Sequence, residues 1–249
     1  MSAPSERPRG VVTGAGGGIG KAVVHRLLRE GARVLAVDVK AEGLAELDSA
    51  DCETLVAYVT DPAVRAKIAD WADGARYLVN SAGVIVIKPI FDLTVEDWRR
   101  AQTVNAEATF FLCQKVGPRL APGGAIVNLS SSSTKLATTI EVATYAACKT
   151  TILSITRSFA YALAPRRVRV NAILPGIVET AMQEEVLAGV APMRGLSAAD
   201  WSKVRNAAVP LGRGSSLEEC DGLIWFLLSE EAAYMTGQAI NFTGGLVTW

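Results

Sequence analysis

Tyr145 and Lys149 are the two residues whose types and spacing most directly suggest chemistry. They stand four residues apart at the start of an apolar-periodic run that extends to Leu163, so on a helix both side chains lie on one face. A free phenol loses its proton near pH ~10, but a cation one turn away favours the phenolate and lowers that pKa. The pair could therefore take a proton from an alcohol or give one to a ketone. An isolated YxxxK pattern also arises by chance in helices, as an exposed tyrosine beside a solvated lysine, so the rest of the chain must decide.

A glycine-rich segment, residues 13–20, follows the first predicted strand and precedes a helical pattern that ends near Gly31. Strand, glycine turn and helix is an order that binds phosphate, because residues without side chains let the backbone approach and the helix N-terminus supplies N–H donors. The spacing is TGxxxGxG. It matches neither the GxxxxGK(S/T) loop of nucleoside triphosphate-binding proteins nor the strict GxGxxG form.

Asp38 follows the second predicted strand, residues 33–37. A carboxylate at the end of this strand, about twenty residues past the glycines, can accept hydrogen bonds from an adenosine ribose and would repel a 2′-phosphate. The glycine loop contains no arginine, and Lys40 is the nearby cation. We therefore predict NAD rather than NADP as the cofactor. The alternative is that Asp38 only forms the turn before the next helix.

Apolar runs alternate with helical patterns along the whole chain, and this alternation predicts a parallel sheet covered on both faces. We predict an α/β protein, with one doubly wound, Rossmann-like domain over residues 1–249. Residues 181–207, with Gly189, Pro192 and Gly195, are less regular, so we expect a lid there that closes over a substrate. The other predicted strands are residues 55–59, 77–79, 125–129, 168–174 and 239–242. Of three later predicted helices, the first begins at Thr94, the second begins at Tyr145, and the third covers residues 217–228.

Composition argues against several classes of protein. Lys and Arg total 25, as do Asp and Glu, so the formal net charge of zero gives no reason to predict nucleic-acid binding. The single histidine, His25, falls inside the first helical pattern, which argues against a histidine-dependent hydrolase and a His-rich metal site. The cysteines are scattered without a CxxC pair, which fits reduced thiols in the cytoplasm and suggests no metal site. Residues 1–9 lack the apolar segment of a signal peptide, and no run of about eighteen apolar residues predicts a membrane helix.

With these motifs in place, the chain resembles the short-chain dehydrogenase/reductase family over essentially its whole length. One motif would be weak evidence, but six stand in the family's order, each at the boundary of a predicted element. Ser81 replaces the second Asn of the family's NNAG element, and Tyr58 stands where an Asp often contacts adenine, so we expect ring stacking there or contact with the backbone of Val59 alone. The matching motifs are the glycine loop 13–20, the NNAG element 80–83, Asn105, the serine run 130–133, Tyr145 with Lys149, and the NxxxPG element 171–176 followed by Thr180.

The resemblance implies a role for each of these residues. Tyr145 is the general acid/base, Lys149 lowers its pKa and binds the nicotinamide ribose, and Asn105 holds a water in a proton relay. Thr180, with the backbone around Ile177 and Val178, positions the nicotinamide carboxamide. A serine orients the substrate oxygen: counting from the fifth strand gives Ser131, counting back from Tyr145 gives Ser132, and we favour Ser131 because insertions collect in loops. The implied cofactor-binding residues are Gly14, Gly17, Gly18, Ile19, Gly20, Asp38, Val39, Val59, Asn80, Ala82, Gly83, Tyr145, Lys149, Pro175, Gly176, Val178 and Thr180.

The implied reaction is hydride transfer between a secondary alcohol carbon and the nicotinamide, with Tyr145 moving the proton. Thr138, Thr139 and Glu141 suit a polyol, sugar or other hydroxylated substrate, although Glu141 is equally well interpreted as a solvated residue at a helix start. Relatives commonly assemble through the helices that bear Asn105 and Tyr145, which implies a homotetramer. Alternatives are a 3-oxoacyl-carrier ketoreductase, which would be expected to use NADPH and a basic docking patch, an NAD-binding regulator without turnover, and a glycine-loop methyltransferase, which would leave the serines and YxxxK unexplained.

Overall fold

Seven parallel strands form the centre of the molecule in a computed structural model that describes residues 7–249. The prediction that residues 1–9 contain no signal segment therefore lies partly outside the described residues. The strands are β1 (Arg9–Thr13), β2 (Arg33–Asp38), β3 (Cys52–Val56), β4 (Tyr77–Asn80), β5 (Ala125–Leu129), β6 (Arg169–Pro175) and β7 (Ala239–Phe242). They lie in the order β3-β2-β1-β4-β5-β6-β7, and each neighbouring pair is parallel.

Helices connect the strands and cover both faces of the sheet. Within residues 7–249, no helix is both long enough and apolar enough to cross a membrane. The helices are α1 (Gly18–Arg29), α2 (Ala41–Ala45), α3 (Pro62–Trp71), α4 (Val95–Ala101), α5 (Ala108–Val116), α6 (Ala143–Leu163), α7 (Ala181–Met193), α8 (Ala198–Ala207) and α9 (Leu217–Leu228), with a π-helix at Gln102–Glu107 between α4 and α5.

Both faces of the sheet are apolar because successive residues of a strand point to opposite sides. In β1, Val12 belongs to the core that contains Val24 of α1 and Ile224 of α9. Its neighbour Val11 belongs to the core on the other face, with Leu112 of α5. A strand buried on both faces is a continuous apolar run, so the sequence pattern predicted the parallel sheet correctly.

The prediction for the third strand, residues 55–59, is wrong by several residues. β3 covers Cys52–Val56 because β2 pairs with it residue by residue, and the last pair joins Asp38 to Val56. The chain leaves the sheet where β2 ends. Val59 consequently lies beyond the strand, in the connection that leads to α3.

The prediction that residues 181–207 are irregular is also wrong, since this segment folds into α7 and α8. The Thr180 and Ser197 hydroxyls each accept a hydrogen bond from a backbone nitrogen three residues on, at 3.2 and 3.1 Å, and so cap the two helices. Pro192 falls in the last turn of α7, and Gly195, with φ of +67°, lies in the turn between the helices. Pro192 and Gly195 thus mark the boundary between α7 and α8, whereas Gly189 lies within α7.

The predicted helix that opens at Thr94 contains a change of helical type. Thr94 and Asp97 form a reciprocal capping box at the start of α4. The backbone then adopts the π-helix Gln102–Glu107 before it returns to α5. Single π-helical turns inside α-helices occur frequently at functional sites, and this one carries Asn105, whose side chain is fully buried.

β1 lies between β2 and β4, so the direction of the connections reverses at this point of the sheet. In open α/β sheets, ligands bind outside the carboxyl ends of the strands at such a switch point. The connections that follow β1, β4, β5 and β6 leave this same edge, because all seven strands run in one direction. These connections carry the predicted glycine loop, NNAG element, serine run and NxxxPG element.

Candidate active site

The glycine loop is packed between the ends of β1 and β4. Gly14 has φ of +68°, and a Cβ there would lie 2.7 Å from the Ala82 backbone nitrogen. A Cβ at Gly20 would lie 2.0 Å from the Gly14 carbonyl oxygen, so neither position admits a side chain. Gly17, directly before α1, instead faces open space. The loop therefore presents bare backbone at a helix N-terminus, which fits the diphosphate of a dinucleotide.

Asp38 supports the glycine loop from the end of β2. Its Oδ2 accepts a hydrogen bond from the Gly16 nitrogen at 2.9 Å, and its Oδ1 accepts one from the Lys40 nitrogen at 2.9 Å. The second bond is the turn that we named as the alternative role, and the first joins the carboxylate to the predicted cofactor loop. A carboxylate has about four acceptor positions, so Asp38 retains capacity for ribose hydroxyls. The side chain of Val39 next to it is half-exposed.

The region where we expect adenine contains one buried and one exposed side chain. Val59 is buried, and its carbonyl oxygen accepts a hydrogen bond from the Arg65 guanidinium at 3.1 Å. Tyr58 is 69% exposed, so its ring is accessible for stacking. Ile19, near the C-terminal end of the glycine loop, is partly buried and packs against the core that contains residues of α1 and α9.

Asn80 ends β4 with its side chain inside the protein. Its Nδ2 donates to Asn128 Oδ1 at 2.8 Å, and Asn128 Nδ2 donates to Thr156 Oγ1 at 3.1 Å, so the amides join β4 and β5 to α6. Asn80 Oδ1 is buried without a hydrogen-bond partner among the described residues. The Ala82 nitrogen donates to Thr13 Oγ1 at 3.3 Å, which holds the NNAG segment against β1.

Tyr145 and Lys149 lie on the first turns of α6, as their spacing predicts. Lys149 Nζ is 5.4 Å from the centroid of the Tyr145 ring, and it donates a hydrogen bond to the Leu129 carbonyl oxygen at 2.7 Å. Lys149 is only 3% exposed. Burial disfavours the ammonium and lowers the pKa of Lys149 to about 8.

The pKa of Tyr145 shifts in the direction opposite to our expectation. Burial disfavours the phenolate and raises the pKa of Tyr145 well above its ordinary value, and the neighbouring Cys148 thiol raises it further. Desolvation is the largest cause of this shift, and Lys149 is not among the groups that lower the pKa of Tyr145. The Ser131 side chain opposes this effect and lowers the pKa of Tyr145.

The serine run separates into residues with different surroundings. Ser130 is buried, and its hydroxyl donates to the Lys149 carbonyl oxygen at 2.8 Å, so it ties β5 to α6. Ser131 Oγ accepts hydrogen bonds from the nitrogen and the hydroxyl of Ser133, at 3.2 and 2.9 Å. Of the serines in this run, Ser131 is the one that acts on the pKa of Tyr145.

Asn105 lies beside Lys149, on the π-helix. Its Nδ2 donates to the carbonyl oxygens of Ala101 and Val84, at 2.8 and 3.0 Å, and its Oδ1 accepts from the Val84 nitrogen at 3.3 Å. A Cβ at Gly83 would lie 2.7 Å from Asn105 Oδ1 and 3.6 Å from Lys149 Nζ. Gly83 therefore occupies the narrow space where these two side chains converge.

The chain after β6 returns to the glycine loop. A Cβ at Gly18 would lie 3.3 Å from Thr180 Cγ2, so the Thr180 side chain stands next to the start of α1. Gly176 donates its N–H to the Phe242 carbonyl oxygen at 2.9 Å, directly after Pro175 at the end of β6. Val178 is buried and pairs with Ser215. The NxxxPG segment thus brings Thr180 against the predicted cofactor loop.

Glu141 differs from both interpretations that we gave it. It is buried, and its carboxylate accepts two hydrogen bonds from the Arg194 guanidinium, at 3.1 and 2.8 Å. Arg194 also donates to the Thr138 carbonyl oxygen and stacks on Trp201, with its Cζ 4.1 Å from the ring centroid. Because this contact joins residues 53 positions apart, no local pattern in the sequence could have revealed it.

Arg205 is a second residue that the sequence did not indicate. It lines a cleft of about 500 Å³, which Gly18 and Thr180 also line. A single arginine in the last turn of a helix carries no signal by itself, since cations are favoured there by the helix dipole. Among residues 7–249, no three His, Cys, Asp or Glu side chains are grouped as potential metal ligands.

Comparison with known proteins identifies the family. A family model described as Enoyl-(Acyl carrier protein) reductase matches residues 14–247. Sorbitol dehydrogenase from Cereibacter sphaeroides is 32% identical over 246 residues, which cover 94% of this chain and 95% of that protein. The crystal structure of a short chain dehydrogenase family protein from Francisella tularensis is 26% identical, with a TM-score of 0.88 over 96% of this chain and 98% of that one. This chain is a short-chain dehydrogenase/reductase.

Other short-chain dehydrogenases/reductases that resemble this chain differ in substrate and cofactor. The 3-oxoacyl-acyl-carrier-protein reductase of Thermotoga maritima is 34% identical over 252 residues, which cover 95% of this chain and 96% of that protein. NAD+-bound xylitol dehydrogenase is 26% identical, with a TM-score of 0.89 and coverage of 97% and 100%. A variant of actinorhodin polyketide ketoreductase with NADPH is 29% identical, also with a TM-score of 0.89 and coverage of 99% and 100%. Closely similar structures in this family therefore bind either nicotinamide dinucleotide.

Proposed function

We propose that the protein is an NAD-dependent alcohol dehydrogenase that interconverts a secondary alcohol, of a polyol, sugar or similar hydroxylated molecule, and its ketone. The observation that carries this proposal is that Tyr145, Ser131 and Lys149 come together at the sheet edge that also bears the glycine loop, whose Gly14 and Gly20 admit no side chain. The similarity to sorbitol dehydrogenase and to xylitol dehydrogenase supports a polyol or sugar as the substrate.

Tyr145 moves the proton in this reaction. Because burial raises the pKa of Tyr145, the phenol holds its proton at neutral pH and can donate it to a ketone oxygen. In the opposite direction, the phenol must first release its proton along the path that Lys149 and Asn105 are proposed to hold, and the resulting phenolate then accepts the proton of the alcohol. A bound nicotinamide supplies or accepts the hydride. We propose that the Ser131 hydroxyl orients the same substrate oxygen, which its effect on the pKa of Tyr145 supports.

Lys149 and Asn105 are proposed to hold the cofactor ribose and the proton path. Lys149 is anchored through Leu129, and with a pKa of about 8 its ammonium remains predominantly charged at neutral pH. Asn105 lies across Gly83 from it, with its side chain fixed by backbone partners on both sides. This rigidity suits residues that must orient a ligand or a water rather than react.

We propose NAD rather than NADP because Asp38 presents a carboxylate beside the glycine loop, where it would repel a 2′-phosphate. Asp38→Ala should raise kcat/KM with NADP relative to NAD by about tenfold or more, because it removes the repulsion between the Asp38 carboxylate and the 2′-phosphate. Glu42→Ala, which removes an exposed carboxylate from α2 nearby, is the control. An unaltered ratio for Asp38→Ala would show that Asp38 does not read the ribose.

A second candidate is reduction of a 3-oxoacyl group on an acyl carrier. The 34% identity to the reductase of Thermotoga maritima favours it, and it would use the same Tyr145 and Ser131. Preference for NADPH and turnover of 3-oxoacyl thioesters, without turnover of polyols, would select this candidate.

Absorbance at the reduced-nicotinamide band tests the proposal directly. The protein is mixed with NAD and a panel of polyols, sugars and secondary alcohols, and with NADPH and a 3-oxoacyl thioester in a parallel set. We expect NADH formation with at least one hydroxylated substrate. Binding of NAD without turnover of any of them would instead favour a regulator that has lost catalysis.

We also propose that the protein works as a homotetramer in the cytoplasm on small-molecule substrates. Exposed aromatic side chains on α4, α5 and α6, namely Trp98, Phe110 and Tyr161, support a contact between copies through these helices. All four cysteines are free and buried, which supports a reducing compartment.

A further inference from the structure

Arg205 is a cation without a counterion in the described part of the chain. Its side chain is partly buried, and Nη1 is completely buried with no hydrogen-bond partner. Two arginines nearby in the sequence are paired: Arg194 with Glu141, and Arg213 with Glu219. Burial lowers the pKa of Arg205, which reflects the cost of holding this charge away from water. A desolvated guanidinium with no partner is unfavourable unless a ligand supplies the anion.

The position of Arg205 in the last turn of α8 accounts for only part of this arrangement. A cation is favoured at a helix C-terminus by the carbonyl groups there. However, the backbone N–H of the following cap pairs with the Arg205 carbonyl, and no hydrogen bond from the guanidinium to any described residue is formed. The donors are therefore not used in capping α8.

Arg205 lines the cleft of about 500 Å³ between α7, α8 and the glycine loop. Gly18, the first residue of α1, and Thr180, the cap of α7, line the same cleft. Two helix N-termini, each with a partial positive charge and free N–H groups, thus share this space with an unpaired guanidinium. The neutral side chains of Ser202 and Asn206 offer further hydrogen bonds. These features together suit a phosphate-bearing anion.

The remaining polar residues of the cleft decide which anion fits. Glu179 and Glu184 line it but are exposed, and neither forms an ion pair with Arg205. Tyr145 and Ser131, which would contact the reacting oxygen, do not line it. The cleft is therefore lined by Gly18 of the glycine loop, where we expect the diphosphate, and not by the residues that we expect at the alcohol.

We propose that Arg205 binds the diphosphate of the nicotinamide dinucleotide and so links the 181–207 segment to the bound cofactor. This inference rests on the proposed function only in requiring a dinucleotide ligand. It assigns to α8 a cofactor-binding residue that lies far from the glycine loop in sequence. It also explains why Arg205 forms no ion pair with Glu179 or Glu184, although both line the cleft: a paired counterion would compete with the ligand.

The test measures binding rather than turnover. Dissociation constants of NADH, ADP-ribose and adenosine are determined by fluorescence or calorimetry for the wild type, Arg205→Gln, Arg205→Lys and Lys203→Gln. Lys203 lies on the same helix but is 78% exposed and pairs with Asp200, so it controls for the loss of one charge. We expect Arg205→Gln to weaken the binding of NADH and of ADP-ribose about tenfold, as for the loss of one charge-assisted hydrogen bond. The salt dependence of both dissociation constants should also decrease. Adenosine, which lacks phosphate, should bind equally to all four.

Each other outcome has a definite meaning. Equal NADH affinity for the wild type and Arg205→Gln, or an equal loss in Lys203→Gln, would overturn the proposal. So would an effect of Arg205→Gln on KM for acidic substrates alone, which would mean that the cleft takes a substrate anion. A wild type that turns over alcohols while Arg205→Gln binds NADH normally would refute this inference alone. A wild type that binds no dinucleotide would refute the proposed function as well. Arg205→Lys, which retains the charge, should lose less affinity than Arg205→Gln, and unchanged melting temperatures exclude misfolding.

Discussion

At the scale of single residues, the phenol of Tyr145 and the ammonium of Lys149 are governed by burial more than by each other. Burial raises the pKa of Tyr145 and lowers the pKa of Lys149 to about 8. Each shift favours the neutral form, as desolvation requires. The spacing of the pair could be predicted from the sequence, but its surroundings could not: Leu129 and Ser131, rather than bulk water, contact the two groups.

Lys149 should make the stability of the protein depend on pH. Its folded-state pKa of about 8 lies below its ordinary value of 10.5, so between these values the unfolded chain binds more protons than the folded one. The contribution of Lys149 to the free energy of unfolding therefore increases as pH rises through this window, by up to about 3 kcal/mol. Urea unfolding of the wild type and Lys149→Met, at about pH 7 and about pH 10, measures the difference. If the free energy of unfolding changed by the same amount between the two pH values in both proteins, the lowered pKa of Lys149 would be contradicted.

Ser131 and Ser132 offer a matched pair of substitutions. Ser131 acts on Tyr145, so we expect Ser131→Ala to lower kcat by about 10²–10³-fold through loss of substrate orientation. Ser132→Ala should stay within about twofold of the wild type, because its side chain has no such interaction. NADH affinity should be unchanged in both. A larger loss in Ser132→Ala would mean that the count back from Tyr145, and not the count from β5, locates the working serine.

At the scale of elements, the site depends on two features that no pattern in the sequence revealed. One is the π-helix Gln102–Glu107, which places Asn105 against Gly83 and Lys149. The other is the folding of residues 181–207 into two capped helices. In contrast, β5, β7 and α9 have the predicted bounds, and for β5 and α9 an apolar run bounded by glycine or serine fixes these bounds locally. β3 was misplaced because its limits are set by pairing with β2.

The Glu141–Arg194 pair holds the 181–207 helices against the segment that precedes α6. Burial by itself would raise the pKa of Glu141, but the hydrogen bonds from Arg194 reverse this and hold that pKa below its ordinary value, so the pair is fully formed at neutral pH. Glu141→Gln should speed hydrogen exchange in residues 181–207 and raise KM for the substrate by about fivefold, with little change in kcat. Glu185→Gln, an exposed residue of α7, is the control. Unchanged exchange would show that apolar packing alone holds the segment.

At the scale of the whole molecule, the sheet gathers distant motifs at one edge. The glycine loop, the NNAG element, the serine run and the NxxxPG element each follow a parallel strand, so topology alone places them side by side. This part of the site could be predicted from the order of the motifs. Which side chains face inward could not: Asn80 joins a buried network with Asn128, although its motif suggested a cofactor contact.

The assembly should be a tetramer that uses α5 and α6. Tyr161 on α6 is 85% exposed, and a charge there would have to be buried if this face packs on another copy. We expect the wild type to scatter light as four chains and Tyr161→Asp to form smaller species. Val204→Asp, on the 51% exposed position of α8, should leave the assembly intact. A wild type that is a monomer at working concentration would refute the tetramer.

The single-turnover rate of Tyr145→Phe, with NAD and a substrate that the wild type oxidises, tests whether Tyr145 is the acid and base. Removal of the hydroxyl leaves the ring and the position of Lys149 in place, so NADH affinity should remain within about twofold of the wild type. The rate should fall by about 10³-fold or more, because no group remains to accept the proton of the alcohol. A Tyr145→Phe protein that binds NADH normally and retains the wild-type rate would contradict the assignment of Tyr145 as the acid and base.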